Sequence, residues 1–318
     1  MTRYLLSRLL GLAGVLLATS FVVFSAVHLA PGDPVSFLLK GHPATPEARA
    51  AITAQYHLDD PFLTQYLKWL GGVLHGDFGR SVQFRQDVGT LIGSRLPSTT
   101  LLVGYAALLV CVLGVSAGVL AALRGGWVDR VVLVGTGITT ATPPFVGALV
   151  LVSVFSVQLG WFPGPGSQGT GFGERLHHLT LPAVALAVTL TGLLARVTRS
   201  SMLDELGREH VEVARSRGVA EPAVVRRHVL RNALGPIVTV GGSMLAGLLV
   251  STSIVETAFN VPGVGSLLVQ SVTVKDFPVV QAITLLTVTG FVLVNLAVDL
   301  LAPLVDPRLS LVRRGGAA

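Results

Sequence analysis

An all-α polytopic membrane protein with six transmembrane helices is the fold class this sequence predicts, and three observations predict it. Across 318 residues, 51% are hydrophobic and 13% are charged, with a mean hydropathy of +0.70; a soluble domain has no core large enough to hide that much apolar surface. The apolar residues gather into six stretches suited to a hydrocarbon core of roughly 30 Å, which a helix crosses at about 1.5 Å per residue. Lysine and arginine, finally, are unevenly shared between the connections on the two sides of those stretches.

The first stretch, residues 9–30, follows Arg3 and Arg8 and carries no charge. It is longer than the apolar core of a secretory signal, no A-x-A site ends it, and Pro31 stands where cleavage would fall, so a retained span is expected. Residues 31–97 are mixed and polar, with helical pieces expected at Pro46–Tyr56 and Phe62–Leu74 on either side of the turn Asp59–Asp60–Pro61. They read as a small extracytoplasmic cap between spans 1 and 2. Residues 99–123 form an uncharged second span in which Gly114 and Gly118 make a GxxxG, a spacing that lets another helix approach closely.

The third span, 131–160, is interrupted by Pro143–Pro144, which must kink or break the helix and free carbonyls for other partners. These two prolines are the candidate lining of a pathway. Trp161 and Phe162 follow in a turn-rich stretch, placed as an interfacial aromatic belt would place them. The fourth span, 181–195, is the shortest and leads into Arg196 and Arg199; the fifth is 237–255 and the sixth 279–298, with 256–278 between them as an external loop. The chain therefore divides into residues 1–30 (N-terminus and first span), 31–97 (cap), 98–303 (a core of spans 2–6) and 304–318 (tail).

With six spans both ends share a side, and that side carries 15 of the 23 basic residues against 8 on the longer polar length opposite. The positive-inside rule then places both termini and the 203–236 connection in the cytoplasm of a multi-pass plasma (inner) membrane protein. This distribution also removes nucleic acid as the explanation of the net charge of +6 and the pI near 10.1.

The stretch 203–236 is the longest charged segment between two apolar ones. Leu203, Leu206, His210, Val213 and Ala214 recur at spacings of three and four, with Asp204, Glu205, Arg208, Glu209, Glu212 and Arg215 on the other face, so an amphipathic helix is expected. Gly218 suits the left-handed residue that closes a helix, and Pro222 suits the N1 position of a second helix ending near Leu234, before Gly235–Pro236.

Glu212, Val213, Ala214 and, three residues later, Gly218 resemble the EAA loop of importer permeases of the ATP-binding-cassette (ABC) class. The wider string EHVEVARSRGVAEPAVVRRHVLRNALGP, residues 209–236, is similar to that of dipeptide and oligopeptide permeases (DppB/OppB-like). LAPGDP at 29–34, GDFGRS at 76–81, RLPST at 95–99, IVETAFNVPGVG at 254–265, KDFPVVQ at 275–281 and NLAVDLLAPLVDPR at 295–308 extend the resemblance over nearly the whole chain. Val213 in place of the second EAA residue, and Arg231 where the wider class has proline, are departures that the peptide-permease subgroup shares.

The resemblance implies an ABC type I importer permease fold whose loop seats in a groove of a separate ATPase. It makes Glu209, Glu212, Ala214, Gly218, Arg226 and Arg227 the candidate coupling residues. It further implies a homologous second permease subunit as heterodimer partner, two ATPase subunits that bind ATP and Mg, and an extracytoplasmic substrate-binding protein. Di- or oligopeptides are the implied cargo, with a nickel complex or glutathione as alternatives within the class.

The residues themselves point away from catalysis in this chain. Lys40, Lys68 and Lys275 follow Leu39, Leu67 and Val274, so no Gly-Lys pair exists to make a Walker A loop. Cys111 is the single cysteine, and His177–His178 lacks the spacing of a zinc protease, so neither a metal centre nor a cofactor is expected here. Asp299 is expected as the one acid inside an apolar span, in a structural pairing near the membrane interface with Asp306 and Arg308 following. Spans otherwise free of ionised groups do not suit a proton or sodium relay, which weighs against the reading from another class, an ATP-independent secondary transporter or channel, as does the EAA-like loop that such a protein would leave unexplained.

Overall fold

The structure is a computed structural model that describes residues 2–29, 45–46, 59–166, 169 and 171–305. Helices dominate: α1 (Thr2–Leu29), α2 (Phe62–Leu74), α3 (Val88–Arg124), α4 (Gly126–Ala141), α5 (Pro144–Gln158), α6 (Phe172–Leu206), α7 (Glu209–Ser216), α8 (Glu221–Ala258), α9 (Val264–Thr273) and α10 (Phe277–Val305). No strand occurs among the described residues. Four helices, α3, α6, α8 and α10, are long and apolar enough to cross a membrane, and α4 with α5 adds a fifth if that bent pair is one span. The apolar part of α1, Leu10–Ala26, is shorter. The helix expected at Pro46–Tyr56, the LAPGDP stretch and the 304–318 tail with Asp306 and Arg308 lie largely or wholly outside the described residues.

The chain forms two compact units. One comprises residues 1–97 and 262–289. Within it α2 lies along α1 through an aromatic cluster: Phe21 and Phe24 meet Tyr66 at ring-centroid distances of 5.3 and 5.6 Å, and Phe24 meets Trp69 at 5.4 Å. The Tyr66 hydroxyl bonds Ser20 Oγ at 2.9 Å, which satisfies both polar ends. A second cluster joins Val88, Leu91 and Ile92 to Leu267, Val279 and Ile283. The GDFGRS loop is tied down by Asp276, which is buried and accepts from Ser81 Oγ at 2.5 Å and from the Gln83 amide at 3.0 Å.

The other unit comprises residues 98–261 and 290–318, and α6 is its axis. Gly114 and Gly118 lie where α3 crosses α6: a Cβ on Gly118 would fall 2.5 Å from the Ala195 carbonyl oxygen and 2.5 Å from Thr198 Cβ. The GxxxG is therefore a close helix crossing, as its spacing predicted. Gly192 does the same for α4, since its Cβ would meet Thr139 Oγ1 at 2.4 Å and the Thr136 carbonyl at 3.1 Å.

Several expected boundaries move. The helix that carries the short fourth apolar stretch, α6, runs 35 residues, because its charged flanks continue the helix beyond the apolar window. The helix that carries the second apolar stretch, α3, starts well before Thr99, at Val88, and has Pro97 inside it. The second helix of the 203–236 stretch does not stop before Gly235–Pro236. A π-helical segment, Val225–Leu230, leads into a helix that passes through Pro236 and ends at Ala258. A proline in a span costs one backbone bond, which neighbouring packing and local changes of helical pitch absorb.

The external loop expected from residue 256 starts later for the same reason. Glu256 sits in the last turn of α8 at 0% exposure, so Asp299, half-buried on α10, is not the one acid carried by the apolar helices.

Candidate functional site

Between α6 and α8 the chain leaves one long helix, makes a short one and enters another. The single amphipathic helix expected from Leu203 is instead broken at Gly207–Arg208, where Arg208 takes an extended conformation (φ −83°, ψ 143°) and caps α7. The break resets the helical phase. Val211 at 0% and Ala214 at 7% exposure are the inward residues, while Val213 is 39% exposed and Leu203 belongs to the end of α6.

The close of α7 follows from its sequence. Gly218 has φ +76°, its amide donates to the Arg215 carbonyl at 2.9 Å, and the Val219 amide donates to the Ala214 carbonyl at 3.2 Å. Those two bonds are the Schellman pattern, which needs a residue without a Cβ penalty at C′. Arg215 then reaches across the turn to Glu221, with Nη2 to Oε1 at 2.6 Å and Nε to Oε2 at 3.1 Å. The guanidinium holds the Glu221 carboxyl below its ordinary value of 4.5. Pro222 is the second residue of α8, one place later than expected, where its missing amide proton still has no intrahelical acceptor to lose.

The candidate coupling residues divide by what they present. Glu209, Glu212, Gly218, Arg226 and Arg227 are exposed, whereas Ala214 is buried and forms part of the floor of a groove of about 480 Å³ bounded by Glu209, His210, Val213, Arg217 and His228. His210 Nε2 lies 3.2 Å from Asn232 Nδ2 and 3.3 Å from the His228 carbonyl, fastening α7 to the start of α8. The groove thus sets the apolar side chains of Val213, Ala214 and Val219 beside the charged Glu209 and Arg217. Among the described residues no group of three His, Cys, Asp or Glu comes together as metal ligands.

Pro143 and Pro144 make the predicted break. Pro143 is extended (φ −59°, ψ 140°), and α4 and α5 meet there at 103°. The Pro143 carbonyl accepts from the Val146 and Gly147 amides at 3.0 and 3.2 Å, so the start of α5 is capped by the elbow itself.

Among the polar pairs that sequence reasoning missed are Arg215–Glu221, Arg199–Asp129 and Thr99–Glu256. Only the first left a local signal, opposite charges six residues apart across a glycine turn. The other two join residues 70 and 157 positions apart.

Helices with close glycine crossings, a helix pair bent at an elbow and a short helix between two long ones define a polytopic helical membrane protein. Residues 114–311 match the family described as "Binding-protein-dependent transport system inner membrane component", and residues 1–103 match its N-terminal companion. The chain belongs to that family of ABC importer permeases. It is 40% identical over 310 residues to the glutathione transport system permease protein GsiC of Salmonella choleraesuis (strain SC-B67), a match covering 96% of this chain and 98% of that one. It is 38% identical over 316 residues to the oligopeptide transport system permease protein AppB of Bacillus subtilis (strain 168), covering 97% and 99%.

Among solved structures, the MetNI methionine ABC transporter in an inward-facing form matches at TM-score 0.53 and 20% identity, over 68% of this chain and 96% of that one. An amino acid ABC transporter with histidines matches at TM-score 0.51 and 19% identity, over 69% and 94%. These two support the fold.

Proposed function

We propose that this chain is one permease half of an ATP-driven, binding-protein-dependent importer of di- or oligopeptides, and that α7 with its Gly218 turn is the element an ATPase grips. The observation that carries this reading is the exposed, rigidly closed α7 in a chain of this family: a Schellman turn, an ion pair across it and a groove fit for a protein partner. Two ATPase subunits supply ATP and Mg²⁺ chemistry, since no Gly-Lys pair stands in this sequence for a phosphate loop. A homologous second permease completes the pathway as a heterodimer, and an extracytoplasmic substrate-binding protein delivers cargo.

The excess of arginine on the 203–236 side supports placing that loop and both termini in the cytoplasm. Residues 31–97 then form the outward-facing cap, and the first apolar helix completes six spans. The elbow at Pro143–Pro144 lines the route, because carbonyls freed in hydrocarbon each cost about several kcal/mol unless water or protein meets them.

Glutathione is the second cargo, favoured by the relative at 40% identity that carries that name. Purification of the chain with its associated subunits tests the first claim: near-stoichiometric ATPase supports it, and full uptake by the chain without any ATPase sinks it. Vesicles holding the assembled complex, supplied with its binding protein and either labelled peptides or labelled glutathione, separate the two cargoes.

A further inference from the structure

Arg199 lies on α6 two turns before the Gly207 break, and its guanidinium forks onto Asp129 in the first turn of α4, Nε to Oδ1 and Nη2 to Oδ2, the latter at 2.6 Å. The two side chains are 25% and 18% exposed, so the pair is partly withdrawn from solvent. One turn earlier on α6, Arg196 Nε donates to Thr136 Oγ1 at 3.1 Å, and one turn before that Gly192 lets α4 approach within Cβ-excluding distance. Three consecutive contacts therefore run along one α4–α6 seam.

Beyond this seam α4 also packs along the end of α3, but it buries little side chain of its own. Thr136 is its one buried residue, while Val131, Val134 and Ile138 are 58%, 64% and 63% exposed. Apolar interdigitation is thus a small part of its seating, and the seam is polar and geometric. A bidentate guanidinium–carboxylate pair resists rotation as well as separation, which a single point contact does not. The far end of α4 is the Thr142–Pro143 elbow, where the chain turns through 103°.

We infer that Asp129 and Arg199 form a strut that makes α4 follow α6, so that a displacement applied at α7 reaches the Pro143–Pro144 elbow. Asp129 and Arg199 are positioning residues, acting through the two helices that they join. The inference rests on the reading of α7 as the ATPase contact. It adds which helix moves with the loop, and through which atoms.

The test compares Asp129→Asn, Arg199→Gln and the exchanged pair Asp129→Arg/Arg199→Asp with Gly218→Val, each in the full complex in vesicles, reading peptide uptake per ATP hydrolysed. Asp129→Asn and Arg199→Gln are expected to assemble with the ATPases and to hydrolyse ATP. Their uptake per ATP should fall about fivefold or more, the lower range for coupling between sites. The exchanged pair should recover most of the ratio. An unchanged ratio in both single variants overturns the strut, as does failure of the exchanged pair to recover it. Failure of the single variants to assemble overturns it too, because the pair is then a folding requirement. If Gly218→Val loses coupling while the single variants keep it, the strut falls and the α7 reading stands; if Gly218→Val also keeps it, the α7 reading itself falls.

Discussion

Thr99 Oγ1 donates a 2.6 Å hydrogen bond to Oε1 of Glu256, whose side chain is fully buried at the end of α8. A hydroxyl placed on a buried carboxyl cannot be removed cheaply, because the acceptor stays behind in a medium of low dielectric. Thr99→Val should therefore destabilise the protein by about 1–3 kcal/mol. Glu256→Gln, which keeps an acceptor oxygen for Thr99, should cost less than Glu256→Ala. Thermal unfolding in detergent ranks the three; equal midpoints for Thr99→Val and the parent would show that the bond contributes nothing.

Gly118 and Gly104 both lie on α3 but differ in surroundings. A Cβ on Gly118 would press on the Ala195 carbonyl at 2.5 Å, whereas one on Gly104 meets nothing within 4 Å. Gly118→Ala should force α3 and α6 apart, at about 1–3 kcal/mol for overpacking. Gly104→Ala should be neutral or slightly stabilising through helix propensity. The comparison of unfolding midpoints checks this, and similar values for the two variants would refute the crossing as a tight one.

Gly218 has open space around a notional Cβ, so the cost of replacing it is conformational. At φ +76° a β-branched residue is strained by about 1–2 kcal/mol. Gly218→Val should reach the membrane yet lose substrate-stimulated ATP hydrolysis and uptake, Gly218→Asn should retain more of both, and Glu212→Ala should weaken ATPase binding without changing the binding protein's affinity for cargo. Parent-like transport by the valine variant would reduce the loop to a tether.

The Arg215–Glu221 bridge is acid-sensitive in one direction. Arg215 raises no question, since its guanidinium stays charged, its own value lifted further by Glu221. The folded-state pKa of Glu221 lies below its ordinary 4.5, so the bridge's contribution is complete above that value and is lost as pH falls through the lowered one. Protease sensitivity of the α7–α8 turn should be flat from about pH 5 to 8 and rise in more acid solution. Glu221→Gln should abolish that pH dependence; a variant that keeps it would assign the effect to other groups.

Gln83 and Ser216 are both exposed, and the proposed six-span topology puts them on opposite sides of the membrane. In a background lacking Cys111, single cysteines at the two positions should react with impermeant reagent from opposite faces of the membrane. Labelling of both from one face would remove the six-span topology.

The features read correctly from residues are those set within a few positions. The break at Pro143–Pro144 follows from a missing amide proton and ring sterics, the turn at Gly218 from the absence of a Cβ, and the close crossing at Gly114 and Gly118 from small side chains on one face. Length and apolarity likewise announced a membrane protein, because hydrocarbon tolerates few backbone solutions. Helix ends were read less well, since hydropathy marks where a helix suits lipid and not where its hydrogen bonds stop; α6 continues through charged residues to Leu206, and α8 passes through Pro236.

Phase was lost at Gly207, where a two-residue break turned Val211 inward and Val213 outward. Glu256 beneath Thr99, and Arg199 against Asp129, belong to a third kind of fact: a buried or partly buried charge needs a partner, and folding alone determines which distant residue stands beside it, 157 and 70 positions away.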